Sequence, residues 1–226
     1  MDAGANKAAL EERIRSFSVT DYAAERTLAL FSASIAVADP RIITDAISLY
    51  RRNCPSRSPL YELVLQSYLF LGFPRMLEAA DLLHQAWPEP VDHHTNDEPV
   101  SPEETRSWYI RGDKLCRRVY DKNYTALRRR VESFAPDVFR WMILEGYGKV
   151  LSRPALDIVS RECAIVACLV VENRPRQLHS HIRGALNVGA DRELVRLVIE
   201  DLRDVHADGW AAARDILKKL EMDTRS

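Results

Sequence analysis

The fold is decided by residues 151–190, LSRPALDIVSRECAIVACLVVENRPRQLHSHIRGALNVGA. The spacing of the apolar residues predicts two helices joined at residues 172–175. The first runs from about Leu156 to Val171 and is apolar around nearly its whole circumference, which is typical of a helix at the centre of a fold. The second begins near Pro175, because proline suits the first helical turn, and ends at Gly189, a typical C-cap residue.

Two polar residues stand out in this stretch, Glu162 among the apolar residues of the first helix and His181 on the second. A carboxylate inside an apolar helix is costly unless it has a partner. A histidine on the facing helix can supply that partner, and a Glu–His pair can transfer protons near neutral pH. The alternative is a buried hydrogen bond that only fixes how the two helices pack.

Three motifs can be quoted from the stretch: Leu151-Ser152-Arg153-Pro154-x-Leu156-Asp157, Arg161-Glu162, and Gln177-Leu178-x-x-His181-Ile182-x-Gly184-Ala185-Leu186-x-x-Gly189. Together they resemble the carboxymuconolactone decarboxylase family, which includes the alkylhydroperoxidase D-like proteins. The resemblance covers Ala135 to about Leu217 and extends only weakly into the first half of the chain. It implies an all-α, alkylhydroperoxidase D-like fold, and it places Glu162 and His181 in the family's site.

The alkylhydroperoxidase branch of the family carries a Cys-x-x-Cys pair just before the motif histidine. In this chain the corresponding positions are Arg174 and Gln177, so the dithiol is absent. Cys163 and Cys168 do not replace it, because two residues five positions apart on a helix project about 140° apart. We interpret both as small core residues. A peroxidase is therefore disfavoured, since a disulfide cycle needs a nucleophilic thiolate and a resolving thiol.

The decarboxylase branch also lacks the dithiol, and this chain resembles it more closely. Decarboxylation of a small organic acid or lactone requires a clamp for the carboxylate and a proton donor for the carbanion or dienolate. His181 is the candidate donor and Glu162 its catalytic partner. The candidate substrate-binding residues are Arg153, Arg174, Arg183 and Tyr147. We therefore expect a decarboxylase that works by Glu/His proton transfer.

A protein of a different class is the alternative, a non-catalytic ligand-binding or oligomeric scaffold of the same fold. In a scaffold, Glu162 and His181 would be sealed in packing, with no cavity beside them. The glycines around Tyr147, Gly146 and Gly148, indicate close packing or a turn rather than a phosphate loop, because no G-x-G-x-x-G pattern follows them.

The first half of the chain contains a weak copy of the central pair of helices. Residues 62–83 share with residues 162–186 a glutamate in an apolar helix, a Pro-Arg turn and a second amphipathic helix. Ala80 stands where His181 would be, so this copy lacks the imidazole. We predict a structural repeat that supplies packing, with one wall of the pocket as a further role to consider.

The repeat divides the chain into two parts that we expect to form one globule. Residues 1–98 are the degenerate helical repeat, with a Pro-rich linker at residues 88–99. Residues 100–226 are the carboxymuconolactone decarboxylase-like repeat. No convincing strand occurs in either part, so the predicted fold class is all-α, with two unequal helical repeats. The family resemblance also implies a homo-oligomer.

Composition limits the partners and the compartment. The 226 residues include 32 basic and 33 acidic side chains, a balance that favours no nucleic-acid partner. No run reaches the roughly twenty apolar residues of a membrane span, and the N-terminus lacks the apolar core of a signal peptide. Because the four cysteines form no secreted-type framework, we expect a reduced, cytoplasmic protein.

No cofactor and no metal are expected from the sequence. Asp92, His93 and His94 suggest a metal site, but adjacent histidines in a Pro-rich loop rarely converge on one ion.

Overall fold

The computed structural model describes residues 3–18, 21–89 and 99–223, which form helices and turns and contain no strand. The prediction of an all-α fold is confirmed. The helices are α1 (Ala3–Arg15), α2 (Ala23–Val37), α3 (Pro40–Asn53), α4 (Ser58–Ala86), α5 (Pro102–Tyr120), α6 (Tyr124–Glu132), α7 (Pro136–Trp141), α8 (Ile158–Val171), α9 (Pro175–Val188), α10 (Arg192–Glu200) and α11 (Ala207–Asp223). A 3₁₀ turn, Asp121–Asn123, joins α5 to α6, and a π-helix, Met142–Leu151, continues α7. Within these ranges, no helix combines the length and apolar character needed to cross a membrane.

The chain divides into two compact units. The first unit contains Met1–Trp87 and Ala155–Ser226, and the second contains Pro88–Pro154. The predicted division into residues 1–98 and 100–226 stays a prediction, and in the structure α2 and α4 pack on α8. Residues 90–98, most of the predicted linker, lie outside the described residues. The repeat relationship between the two halves stays a prediction.

Helix α8 lies at the centre of the first unit, as its apolar circumference predicts. All its residues from Ser160 to Val170 are buried, and it contacts α2, α4, α9, α10 and α11. Its N-terminus is capped by Asp157, whose carboxylate accepts a hydrogen bond from the Ser160 amide at 2.9 Å. The hydroxyl of Ser32 donates to the Ala164 carbonyl at 2.8 Å and ties α2 to this core helix.

Helix α4 begins in the apolar run after Ser58 and bends at Gly72. The backbone of Gly72 has φ 80° and ψ 167°, a conformation that favours glycine, and Pro74 follows inside the helix. After the bend, the Arg75 guanidinium donates to the Ala36 carbonyl at 3.0 Å. The bend thus redirects the second half of α4 while that half remains anchored to α2.

Helix α9 begins at Pro175 and ends before Gly189, whose φ of 106° confirms the predicted C-cap. Its apolar side is buried in the first unit and includes His181. The turn before α9 places Asn173 at a φ of 49°, and the next helix folds back onto α8 from there. The pair of helices predicted from residues 151–190 is therefore present.

The second unit is built on a close crossing between α5 and the π-helix. A Cβ atom added to Gly148 would lie 2.1 Å from the Trp108 carbonyl oxygen, and one added to Gly112 would lie 2.0 Å from the Ile143 carbonyl oxygen. No side chain fits between the two backbones at this point. The interpretation of Gly148 as a close-packing residue is confirmed, whereas a Cβ on Gly146 would meet nothing within 4 Å.

Replacement of Gly148 by alanine is expected to destabilise the second unit, because the new methyl group would overlap a backbone carbonyl. Overpacking of this kind costs about 1–3 kcal/mol. Gly146→Ala in the same π-helix is the matched control and should be neutral, or stabilising by up to about 1 kcal/mol from helix propensity. Urea unfolding followed by circular dichroism measures both variants. Equal unfolding midpoints for the two would contradict the close crossing.

Candidate functional site

The structure brings Glu162 and His181 together between α8 and α9. The imidazole Nδ1 lies 2.8 Å from Oε2 of the carboxylate. The Glu162 side chain is 0% exposed and that of His181 is 9% exposed, so their contact is almost fully removed from water. The pairing expected from the sequence is present in the structure, and the catalytic role of the two residues stays a prediction.

The hydrogen bonding of this pair leaves one acceptor unused. An ionised carboxylate only accepts hydrogen bonds, so with Glu162 ionised Nδ1 carries the hydrogen and Nε2 is the ring nitrogen left for a ligand. The second carboxylate oxygen, Oε1, is buried and has no hydrogen-bond partner among the described residues. Buried carboxylate oxygens are normally paired, and an exception calls for an explanation. A hydroxyl or protonated group of a bound molecule would supply the missing donor.

An aromatic ring of α4 packs against the imidazole of His181. The Phe70 ring meets the His181 imidazole edge-on, with centroids 5.5 Å apart and an interplanar angle of 79°. Phe70 is half-buried and stands two residues before the bend at Gly72. Sequence analysis missed this residue, because nothing in an apolar run distinguishes the one aromatic side chain that will face the histidine.

A second buried charge lies next to Glu162 in the chain. The Arg161 guanidinium donates to the Glu62 carboxylate at 2.8 Å, and the two side chains are 0% and 2% exposed. Arg161 Nε also donates to the Leu156 carbonyl at 3.1 Å, and Gln66 donates to the Arg161 carbonyl at 3.2 Å. Sequence analysis missed this ion pair. The sequence does contain an indication of it. Glu62 and Arg161 are charges of opposite sign in two different apolar helical runs, and buried charges need partners.

Two of the predicted substrate-binding arginines lie in the first unit. The Arg174 side chain is 63% exposed and lies 3.8 Å from the Glu172 carboxylate, which also binds Arg75. Arg183 is half-buried on α9, two residues after His181. Residues two positions apart on a helix point about 200° apart, so Arg183 faces away from the His181 side of α9.

The other two predicted substrate-binding residues, Arg153 and Tyr147, belong to the second unit. Arg153 is exposed at the end of the π-helix. Tyr147 is 4% exposed, and its ring meets Tyr120 edge-on with centroids 6.3 Å apart. A contact of either residue with substrate stays a prediction.

The cysteines of α8 are core residues. Burial raises the pKa of the Cys168 thiol to about 12, with a further contribution from Glu172. Burial, together with neighbouring carboxylates led by Glu162, raises the pKa of the Cys163 thiol as well. This environment disfavours the thiolate at both positions, and a thiolate is the form that attacks a peroxide or a disulfide. The interpretation of both as packing residues agrees with this environment.

The proposed metal ligands of the linker, Asp92, His93 and His94, lie outside the described residues. Within the described ranges, no group of three or more His, Cys, Asp or Glu side chains is arranged to hold a metal ion.

Comparison with known families agrees with the motifs. Residues 136–221 match the model of the carboxymuconolactone decarboxylase family, a segment that includes α8, α9 and the Glu162–His181 pair. This part of the chain is therefore a domain of the carboxymuconolactone decarboxylase family. The matched segment agrees closely with the region of resemblance identified from the sequence, Ala135 to about Leu217.

Part of the chain is similar in sequence to two curated proteins. Peroxisomal protein 2 of Saccharomyces cerevisiae is 24% identical over 160 residues, which cover 61% of this chain and 56% of that protein. Peroxisomal protein 2 of Schizosaccharomyces pombe is 29% identical over 143 residues, which cover 62% of this chain and 66% of that protein. The chain thus spans less than two thirds of either relative.

Replacement of Glu62 by glutamine is expected to destabilise the first unit strongly, because Arg161 would keep a buried charge without its partner. Breaking a buried ion pair costs about 3–5 kcal/mol, whereas replacing both partners by apolar residues is often neutral or stabilising. The double variant Glu62→Leu/Arg161→Met should therefore recover most of the lost stability in chemical unfolding.

The matched control for this prediction is Glu193→Gln, which removes the carboxylate from an ion pair with Arg196 whose side chains are 50% and 49% exposed. Exposed pairs contribute little, so this variant should unfold like the wild type. The account of the buried pair would be wrong if Glu62→Gln and Glu193→Gln had the same effect.

Iodoacetamide is expected to label Cys54 in the native protein and to leave Cys163 and Cys168 unlabelled until the protein unfolds. Cys54 is partly exposed, and the other two are buried; alkylation also requires the thiolate, which their raised pKa values disfavour. Peptide mass spectrometry after labelling at neutral pH measures this. Rapid labelling of Cys163 or Cys168 in folded protein would reopen the possibility of a thiol-based reaction.

Proposed function

We propose that this protein is a carboxymuconolactone decarboxylase-like enzyme that removes CO2 from a small organic acid or lactone, with Glu162 and His181 transferring the proton. The observation that carries the proposal is the buried pair with Nδ1 2.8 Å from Oε2 and with Oε1 lacking a partner. The family match of residues 136–221 supports it, because both residues lie in this segment, each in one of the motifs that carry the resemblance.

The unused oxygen favours a ligand site over a packing contact. A buried acceptor without a donor costs about 1–3 kcal/mol. A hydroxyl group of a bound ligand would remove this cost, as would a water molecule that occupies the same position. We therefore propose that the substrate supplies the hydrogen-bond donor that Oε1 lacks.

The proposed reaction begins with cleavage of the bond between the substrate carbon and its carboxylate. CO2 leaves, and the electron pair stays on the carbon, where conjugation with a neighbouring carbonyl makes it an enolate, or a dienolate if that carbonyl is itself conjugated with a C=C bond. Nε2 of the imidazolium then donates its proton to that carbon, and Glu162 stabilises the imidazolium through the hydrogen bond at Nδ1. Water returns the proton to His181 after the product leaves.

The substrate carboxylate needs cationic or hydrogen-bonding partners. We propose Arg153, Arg174, Arg183 and Tyr147 for this role, on the basis of their positions in or beside the family motifs. Arg183 is half-buried on the side of α9 away from His181, and Arg174 is mostly exposed beside Glu172, so each of these two roles stays a proposal. No metal or other cofactor enters the proposed reaction.

The second candidate is a ligand-binding or oligomeric scaffold of the same fold. The observation in its favour is the burial of the pair, with Glu162 0% and His181 9% exposed. In this case the pair only fixes the packing of α9 on α8, and assembly into a homo-oligomer is the function. Light scattering of the purified protein would establish the oligomeric state for either candidate.

The location within the cell is also a proposal. The sequence favours the cytoplasm, and the names of the two yeast relatives, Peroxisomal protein 2, add the peroxisome. We propose the peroxisome as the location to test first, by fractionation of cells and detection of the native protein. Recovery with the cytosolic fraction alone would support the original expectation.

His181→Gln and Glu162→Gln are expected to lower the kcat of the folded protein by about 10²–10⁴-fold, the usual contribution of a general acid or base. His181→Gln should also unfold at a lower urea concentration, because Glu162 would keep a buried charge without the imidazole. Wild type is first screened by thermal shift against small carboxylic acids and lactones, because a bound ligand raises the melting temperature. Compounds that shift it are then assayed for CO2 release.

The matched control is His179→Gln, which makes the same substitution on an exposed residue of the same helix and should behave like the wild type. The decarboxylase proposal fails if no acid or lactone binds or releases CO2. Strong unfolding of both pair variants in that case would favour the scaffold.

A further inference from the structure

Helix α4 brings an aromatic ring to the Glu162–His181 pair from a part of the chain that lies outside the family match. That match covers residues 136–221, and Phe70 lies in the first half of the chain. Its ring is nearly perpendicular to the imidazole, at a centroid distance of 5.5 Å. Edge-to-face contacts of aromatic rings at 4.5–7 Å are favourable and directional.

The hydrogen bond to Glu162 does not by itself fix the imidazole. It holds one atom, Nδ1, and the ring can still tilt by the small rotations about its Cα–Cβ and Cβ–Cγ bonds that a hydrogen bond tolerates. Such a tilt would move Nε2, the atom that must face a substrate. A perpendicular ring beside the imidazole, as Phe70 provides, restricts this tilt.

Phe70 is itself held firmly, because α4 is joined to α8 on both sides of it. Before Phe70, Glu62 and Gln66 bind Arg161, at 2.8 Å to its guanidinium and 3.2 Å to its carbonyl. After the bend, Arg75 binds the Glu172 carboxylate at the end of α8. These contacts on both sides of Phe70 therefore hold its ring in position.

We propose that Phe70 is a positioning residue of the Glu162–His181 pair. It keeps the imidazole in the orientation that places Nδ1 on the carboxylate and Nε2 toward the bound substrate. The catalytic consequence rests on the proposed function, whereas the orientation of the ring can be measured in the protein without any substrate.

The test compares Phe70→Leu, which keeps an apolar side chain but removes the ring, with Phe70→Tyr, which restores the ring. Phe73→Leu is the matched control, because Phe73 is on the same helix, is 59% exposed and stacks on Tyr68. The measurements are kcat and KM for CO2 release, the nitrogen resonances of the His181 imidazole, and the rate at which its Nδ1 hydrogen exchanges with water.

We expect Phe70→Leu to lower kcat by about threefold to tenfold, the range that the energy of one aromatic pair allows. KM should stay within about twofold, and the Nδ1 hydrogen should exchange faster than in the wild type, because the ring is no longer held. Phe70→Tyr should restore both values, and Phe73→Leu should change neither.

Unchanged kcat and unchanged Nδ1 hydrogen exchange in folded Phe70→Leu would overturn the proposal. A loss of kcat that disappears after correction for the folded fraction would also overturn it, because Phe70 would then only stabilise the fold. If the wild type acts on no acid or lactone, the proposed function fails by itself. The exchange rate then still decides the positioning role, with faster exchange in Phe70→Leu supporting it and equal exchange rejecting it.

Discussion

Glu162 places a carboxylate in the most apolar helix of the first unit, and the surrounding helices are arranged around that charge. A buried charge is tolerated only with a partner, and His181 of α9 provides it at 2.8 Å. The contact therefore constrains the position of α9, which must bring its histidine to one point of α8. The same contact leaves one carboxylate oxygen unpaired, so the element that organises the core also creates the candidate site.

Arg161 repeats this arrangement on a neighbouring face of α8. Adjacent residues on a helix point about 100° apart, so Arg161 and Glu162 face different partners. Arg161 meets Glu62 of α4, and Glu162 meets His181 of α9. A buried ion pair is weak evidence for stability, and in some proteins it specifies how the elements pack, which is the role that we propose for these two pairs. Here they define the position of α4 and α9 relative to α8, and Phe70 reaches the imidazole because α4 is held in this way.

Much of this architecture could be predicted from the sequence. The apolar circumference of α8, the proline at the start of α9 and the glycine after it have direct local causes, and the structure contains all three. The partnership of Glu162 and His181 followed from the cost of a buried carboxylate together with the family motif. These predictions succeeded because each depends on residues close in sequence or on a charge that must be neutralised.

Other features could not be predicted in this way. The contact of Phe70 with His181 depends on the bend of α4 and on two long-range ion pairs, and no local pattern carries that information. The close crossing of α5 and the π-helix at Gly112 and Gly148 joins residues that are distant in sequence. The arginines were chosen by motif position alone, and the structure shows Arg174 engaged with Glu172 at the surface. Packing places α1–α4 in the same unit as α8–α11, an association between distant segments that no local pattern indicates.

The most direct test of the account is a crystal structure of the protein with a carboxylic acid or lactone that raises its melting temperature. The account predicts that a donor of the ligand lies about 2.5–3.2 Å from Oε1 of Glu162 and that the reacting carbon or oxygen faces Nε2 of His181. A ligand bound elsewhere, with Oε1 still unpaired, would contradict it. The buried pair would then be a packing contact, and the site would have to be sought in another part of the molecule.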